Sequence, residues 1–369
     1  MIFVINSGSS SFKFKIFDLK RKTLASGIVE RIGLEKPFLK AKVNGTEIEE
    51  NYVSVPDHAD ALSKTFAALA KAGIDVKGVK AFGHRVVHGG TAFTEPTKVD
   101  AKVIAKLKEY YKLAPLHNPP NVMGIEAVMK LMPGTPNVAV FDTAFYKTLP
   151  EEAYMYALPY DLYEKHGVRK YGFHGISHEY VAAEAAKMLK KPLSKLKLVT
   201  CHLGSGASIT AVKNGKAVDT SMGFTPLEGL TMSTRCGDID PEIPVWLIRE
   251  LKMTPDQVDE LMNKKSGTLG VSGHKDMRDV IEGAKKGERR AKLALAMFVY
   301  DVVRYVGQFM GVMGGCDAVV FTAGVGERSE EIRKLVMKPL APFKLKHLVV
   351  PTDEEGSIAR QAAELLKLK

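Results

Sequence analysis

Apolar and polar positions alternate at period two through most of the first 55 residues. That pattern predicts a run of strands at MIFVIN, FKFKIF, LASGIVERI, FLKAKVNG and EIEENYVSV. Helical spacing follows in HADALSKTFAALAKAG, then a strand in KAFGHRVVHG. Two helices are expected to flank a turn at APLHNPPN, with a further strand in NVAVFDTAF. After Pro150 the pattern starts afresh. YMYALP predicts a strand, SHEYVAAEAAKMLKK a helix, KLKLVTCHLG a strand, and ASITAVKNGKAVDTS a hairpin with Asn214-Gly215 at its tip. Helical spacing dominates from Pro241 to Gly314. CDAVVFTAG and HLVVPT then read as strands separated by a helix, and a last helix starts at Glu354. No low-complexity linker breaks the chain, so its domains are expected to pack together.

At 369 residues the chain suits two domains, each large enough for its own core. The net charge of +11 points to anionic partners, but Lys and Arg are spread along the chain with no tract of interleaved aromatics. A local site for a small anion is therefore expected, with no nucleic acid and no membrane as partner. Cys201, Cys236 and Cys316 fit no metal or disulfide spacing, which suits a reducing compartment. The N-terminus has no basic n-region and reads as a strand, not as a signal peptide. The most apolar helix, Leu293 to Met313, carries Asp301 and Arg304 and reads as a buried core helix.

INSGSSSFKFKIF near the start resembles HLGSGASITAV at 202 to 212: a strand, a Gly/Ser turn, a returning strand. A third glycine turn, TAGVGE, again follows an apolar strand. Taken alone, Ser7 to Ser11 suit an ordinary polar hairpin turn as well as an anion cradle. Three such turns instead predict duplicated domains offering phosphate-binding turns to a shared nucleotide cleft. The chain has no GxxxxGK[ST], no GxGxxG opening a helix, and no DFG or HRD.

The polar candidates lie in glycine-flanked strings. GHRVVHGG holds His84, Arg85 and His88; LHNPPN holds His117 and Asn118; FDTAF sets Asp142 at a strand end, a favoured place for site residues. YGFHGISH holds His174 and His178, and TRCGDIDP holds Arg235, Asp238 and Asp240. Most lone histidines are structural. An arginine beside glycine is more telling, since its fork suits carboxylate and phosphate and glycine lets the backbone approach.

These strings, with NSGSSSFK, HLGSGAS, DTSMGFTPLEGL, FTAGVGE and PTDEE, resemble the acetokinase family of the acetate and sugar kinase/Hsp70/actin superfamily over nearly the whole chain. The resemblance implies an α/β fold of two duplicated ribonuclease-H-like domains with an active-site cleft between them. The domains are expected at 1–148 and 149–354, with the helix 355–369 returning to the first. It implies reversible transfer of a phosphoryl group from ATP to acetate, giving ADP and acetyl phosphate, with Mg²⁺ (Mn²⁺ as a substitute), in a cytoplasmic homodimer. By the same resemblance Arg85 and Arg235 hold the carboxylate and the phosphoryl group, His174 stabilises the transition state and Asp142 is the catalytic acid. Asn6 and Glu354 attend the metal. Ser11, Lys13, His202, Leu203, Gly204, Ser205, Gly206, Asp276, Met277, Arg278, Gly324, Val325, Gly326, Glu327 and Arg328 surround the nucleotide. Val87, Leu116, Phe173 and Pro226 wall the acetate methyl.

The chemistry is coherent. A carboxylate with pKa of roughly 4 is already ionised near neutral pH, so the nucleophile needs no general base. The obstacle is one anion approaching another, which arginines, a histidine donor and a metal offset. Asp142 then suits orienting an arginine or a metal-bound water better than acting as a simple base. The chain departs from the family pattern at Tyr146 (usually histidine), Ser205, Cys236 and Arg328, and is shorter between Gly326 and Pro351. Alternatives are a propionate or other short-chain acyl kinase and, in another class, an ATP-driven clamp of the Hsp70/actin kind.

Overall fold

The structure, a computed structural model, describes residues 1–368, which divide into two compact units. The first takes Met1–Ala144 and the chain from Asp353 onward; the second is Phe145–Thr352.

In the first unit, strands β1 (Ile2–Ser7), β2 (Ser11–Phe17), β3 (Thr23–Glu30), β4 (Phe38–Val43) and β5 (Thr46–Asn51) form the expected antiparallel run. Strands β6 (Ala81–Val86), β7 (Thr97–Lys98) and β8 (Asn137–Phe141) complete a sheet of order β5-β4-β3-β2-β1-β6-β8-β7. The pairs β1–β6 and β6–β8 are parallel. Helices α1 (His58–Lys71), α2 (Ala101–Glu109) and α3 (Asn118–Leu131) supply the crossovers. Asp57 and Asp100 start the first two by accepting from the backbone N–H of Asp60 and Val103, so an orphan donor at each helix start is satisfied. The core is aromatic where sheet meets helix: Phe3 packs against Phe14, Phe66 and Phe82 at ring separations of 5.5, 5.8 and 5.5 Å.

In the second unit, α4 (Glu151–Tyr154), α5 (Tyr160–His166) and α6 (Gly175–Met188) precede β9 (Lys197–Leu203), β10 (Ala207–Lys213) and β11 (Lys216–Thr220). Then come α7 (Glu242–Glu250), α8 (Pro255–Lys264), α9 (Gly267–Ser272), α10 (Met277–Lys285) and α11 (Arg289–Met313). Strand β12 (Ala318–Thr322), helices α12 (Ala323–Arg328) and α13 (Glu330–Leu340), and β13 (Lys346–Val349) close it. The sheet order is β11-β10-β9-β12-β13. The last helix, α14 (Glu354–Leu365), packs on β1, β2, β6 and β8 of the first unit.

The two sheets share one topology. In each, a hairpin of three antiparallel strands (β1–β3, β9–β11) leads into two parallel strands (β6 and β8, β12 and β13) through helical crossovers. The duplication expected from the two Gly/Ser hairpins is therefore present. Asn214 and Gly215 both take positive φ, 55° and 81°, as the two-residue turn between β10 and β11 requires.

Four local expectations need correction. YMYALP forms no strand: Pro150, followed by Glu151 and Glu152 in the first turn, starts the helix α4, and the chain is irregular after Tyr154. TAGVGE is not a turn. The chain reverses at Ala323 (φ 63°) and runs straight into α12. Asn118-Pro119-Pro120 is not a turn either; it is the first turn of α3, where proline's missing N–H costs nothing. Helix α11 is long and apolar enough to cross a membrane by length and composition, and only one face of it is core. Phe298, Val302, Val306 and Phe309 are buried, whereas Leu293, Met297 and Tyr300 are exposed.

Candidate active site

In the first unit the candidate residues gather at the carboxyl ends of β1, β6 and β8 and at the start of α14. Arg85 projects from β6, and Asp142 follows β8 directly. The guanidinium meets the carboxylate as a fork, with Nε to Oδ1 at 2.9 Å and Nη2 to Oδ2 at 2.6 Å. Glu354, the first residue of α14, stands 3.7 Å from Arg85 Nε. Burial alone would lower the Arg85 pKa, but Asp142 and then Glu354 outweigh it and the net shift is upward. Glu354 is pushed up by burial, an effect that Arg85 partly offsets and Asp142 reinforces.

Backbone clamps fix this corner. The Val87 N–H donates to Asn121 Oδ1 at 3.0 Å and the His88 N–H to Asn118 Oδ1 at 3.0 Å, while the Asn118 and Asn121 amides donate to the carbonyls of His88 and Ser7. The asparagines of LHNPPN thus staple β6 to the N-terminus of α3 and to the end of β1. His84 and His88 are structural: burial lowers them to about 4 and about 3. His84 Nε2 bonds Asn137 at 2.8 Å, and His88 Nδ1 accepts from the Gly90 N–H at 2.9 Å. Asn6 on β1 pairs across the hairpin with Lys13, and Ser11 opens β2. Val87 is buried, whereas Leu116 is 47% exposed.

The metal expectation can be tested on the donor set. Asn6 and Glu354 offer oxygen only, the donor type that suits a hard divalent cation. Among the described residues no three His, Cys, Asp or Glu side chains converge as a cage. The oxygen-only pair suits an ion that takes few protein ligands and keeps several waters.

In the second unit His174 caps α6 in the left-handed conformation (φ 58°), which leaves its ring over the β9–β10 hairpin. Gly172, at φ 74°, prepares that turn; a side chain there would run into the Tyr146 ring. His174 stacks on His202 at 4.2 Å and bonds Ser208 Oγ through Nδ1 at 2.8 Å. His178, one helical turn on, bonds the same Ser208 Oγ through Nε2 at 2.8 Å and Thr200 Oγ1 through Nδ1 at 2.7 Å. Gly206 shows where His174 and Arg235 converge. A methyl group on its Cα would lie 3.5 Å from both Arg235 Nη1 and His174 Nε2.

Arg235 contrasts with Arg85. Its Nη1 donates to the Pro226 carbonyl at 3.1 Å, and among the described residues no carboxylate lies within ion-pair distance. Burial lowers its pKa.

A cavity of about 620 Å³ opens beside this group, of a size that holds a small-molecule ligand. Of the residues expected at the nucleotide, Gly204, Ser205, Asp276, Met277, Arg278, Gly324, Val325 and Arg328 line it. His202, Leu203, Gly206 and Gly326 are not among its lining residues, and Ser11 and Lys13 belong to the first unit. Glu327 is engaged elsewhere: its Oε1 accepts from the N–H groups of Ala323 (2.8 Å) and Thr352 (2.9 Å). Phe173 is fully buried and Pro226 half-buried.

Sequence reasoning missed several participants. Ser233, Thr268, Lys275 and Phe298 also line the cavity. Ser208 and Tyr146 organise the histidines; the Tyr146 hydroxyl donates to the Phe173 carbonyl at 2.7 Å and lies 3.0 Å from Thr210 Oγ1. Only the four-residue spacing of His174 and His178 hinted at a shared face.

Comparison with known proteins bears on the family and the fold. The acetokinase family model matches residues 1–363. An acetate kinase of Clostridium novyi (strain NT) is 51% identical over 397 aligned positions, covering 99% of this chain and 98% of that protein. The crystal structure of Porphyromonas gingivalis acetate kinase superposes with a TM-score of 0.93 at 43% identity, covering 99% of each chain. That of a propionate kinase from Francisella tularensis subsp. tularensis SCHU S4 superposes with a TM-score of 0.94 at 38% identity, covering 98% of this chain and 99% of that one.

Proposed function

The chain belongs to the acetokinase family, and from that premise we propose that it moves a phosphoryl group reversibly between ATP and acetate, giving acetyl phosphate and ADP. The observation that carries the reading is Arg235: a half-buried guanidinium with no carboxylate partner among the described residues, converging with His174 on Gly206 beside a nucleotide-sized cavity. A buried cation without a counter-ion awaits an anion, because leaving it unpaired is costly.

The residues divide the work. The cavity of the second unit takes the nucleotide, with Gly204 and Ser205 on the phosphate side and Asp276 to Arg278 and Arg328 around the rest. Arg235 and His174 face the transferring phosphoryl group and compensate charge as it develops. Arg85, aimed by the Asp142 fork, holds the acid's carboxylate in line, and Asp142 acts by orienting that arginine. Val87, Leu116, Phe173 and Pro226 meet the acid's methyl. Asn6 and Glu354 would hold Mg²⁺, with Mn²⁺ as a substitute, and such an ion would supply neutralisation of phosphate charge.

Two further points complete the proposal. Helices α7 and α11 leave Ile243, Trp246, Leu293, Met297 and Tyr300 exposed, apolar surface that a second copy in a homodimer would cover. All three cysteines are free, as in the reducing cytoplasm. The likeness to a propionate kinase makes propionate the rival acid.

A hydroxylamine trap for acyl phosphate, run with ATP, Mg²⁺ and a panel of short carboxylates, tests the reading. Acetate is expected to give the highest kcat/KM. No trapped product from any acid would overturn the kinase assignment, and a preference for propionate would replace the substrate.

A further inference from the structure

The imidazole of His174 does not stand alone. It ends a chain of four hydrogen-bonding side chains that joins α6 to the β9–β10 hairpin: Thr200, His178 and Ser208, all buried, and the half-buried His174. Three links are short, at 2.7 Å (Thr200 Oγ1 to His178 Nδ1), 2.8 Å (His178 Nε2 to Ser208 Oγ) and 2.8 Å (Ser208 Oγ to His174 Nδ1). The far end is anchored where Thr200 Oγ1 donates to the Thr210 carbonyl at 3.3 Å, across the β9–β10 pair.

Each hydroxyl has one proton to give, so the anchor orders the whole chain. Thr200 spends its proton on a carbonyl, which can only accept. It must then accept from His178, whose Nδ1 is therefore protonated. His178 is fully buried, and burial, with His202 nearby, holds its imidazole well below the usual value, so the ring is neutral and its Nε2 is bare. Ser208 must donate to that nitrogen. Its oxygen then accepts from His174, which fixes a proton on His174 Nδ1. The other nitrogen, Nε2, is the one that lies with Arg235 Nη1 around Gly206.

We infer that Ser208 is a positioning residue that sets the tautomer of His174, so that the neutral ring presents a bare Nε2 and only the imidazolium can donate from it. This rests on the reading of His174 as the residue facing the phosphoryl group. On that reading His174 meets the anion as a full positive charge, because the neutral ring would point a lone pair at phosphate oxygens. A proton gained at Nε2 needs no rearrangement behind it: Nδ1–H stays on Ser208, and the chain back to Thr210 is unchanged.

Nitrogen-15 NMR of the full chain, selectively labelled at histidine, tests this. His174→Gln and His178→Gln assign the two rings, and spectra are taken well above the ordinary histidine pKa of about 6.5. In the wild type both neutral rings are expected to carry the proton on Nδ1. Thr200→Val removes the anchor without touching His174 and is expected to reverse the chain, moving the His174 proton to Nε2. Ser208→Ala is expected to do the same by cutting the last link. It should also lower kcat about 10-fold or more, short of the 10²–10³ of losing a donor outright, with KM for ATP and acetate unchanged.

A wild-type His174 with its neutral proton on Nε2 overturns the inference, and that spectrum decides the matter even if a variant fails to fold. An unchanged kcat in Ser208→Ala overturns it as well, provided that His174→Ala is slow. If His174→Ala itself turns over like wild type, the assigned role of His174 fails while the tautomer assignment stands.

Discussion

Arg85, on β6 of the first unit, and Arg235, in the irregular stretch between β11 and α7 of the second, are held in opposite ways. Arg85 is locked in a two-bond fork to buried Asp142, with Glu354 at its flank. Arg235 rests on a backbone carbonyl and a thioether and has no acidic partner among the described residues. The first is a cation whose charge is already compensated and whose direction is fixed. The second is a cation with its charge still available. The chain thus carries an orienting arginine and an anion-seeking one, and the difference comes from the carboxylates around Arg85, first among them Asp142 after β8.

Removing Asp142 brings the two arginines closer in kind. Asp142→Ala leaves Arg85 half-buried with only the flanking Glu354 at 3.7 Å, and breaking a buried pair from one side typically costs about 3–5 kcal/mol. A urea midpoint clearly below wild type is expected, together with a collapse in kcat/KM for acetate. A stable, active variant would show that Asp142 is not what holds Arg85.

The converse change degrades the available charge. Arg235→Lys keeps the cation and loses the planar fork, so kcat is expected to fall by about 10²–10³ while the melting temperature stays near wild type. Turnover like that of wild type would remove Arg235 from the transfer step.

The first unit's low tolerance of uncompensated charge extends to histidine. His84 is lowered by burial to about 4 against an ordinary 6.5. Below pH 6.5 the unfolded chain takes up a proton that the folded chain refuses, so this contribution is fully present above 6.5 and is lost as pH falls toward about 4. At 1.36 kcal/mol per unit, the loss is up to about 3 kcal/mol. Urea titrations at pH 7 and pH 4.5 should show His84→Gln with a flatter pH dependence than wild type. Equal slopes would mean that His84 is not the group responsible.

The smallest expected effect asks whether Arg85 faces the acid. Val87→Ala, two residues from Arg85, opens room for one methylene, worth about 1–3 kcal/mol in discrimination. The kcat/KM ratio of propionate to acetate should rise about 10-fold, the lower end of that range, with neither acid excluded. A lower melting temperature with an unchanged ratio would make Val87 core.

Much of this contrast was legible in the sequence, and the illegible parts share a cause. Both hairpins declared themselves through period-two alternation, Gly/Ser turns and Asn214-Gly215, which are local signals. Arg85, Asp142 and Arg235 stood out because glycine-flanked strings mark places where backbone comes close. YMYALP misled because Tyr154, Tyr156 and Leu158 mimic alternation, while two glutamates after a proline quietly favour a helix start. TAGVGE misled because a non-glycine residue, Ala323, takes the left-handed turn. The pairing state of the two arginines, and the Thr200-to-His174 chain, depend on contacts between segments tens of residues apart, which no local pattern encodes.

The return of α14 to the first unit has a consequence for how the protein is made. Ile358 of this helix lies against Gly83 of β6, where even a methyl on the glycine would come within 2.7 Å. During synthesis, however, the β1–β6–β8 face must wait for α14 to leave the ribosome, whereas every element of Phe145–Thr352 precedes that helix in the chain. The half that is synthesised first is the half that finishes last, with an apolar sheet face uncovered in the interval. A nascent chain stalled at Thr352 is therefore expected to hold a protease-resistant second unit and a labile first one. Release of the last helix should then protect Met1–Ala144 in one step, and limited proteolysis of stalled chains that found the first unit already resistant would contradict this order.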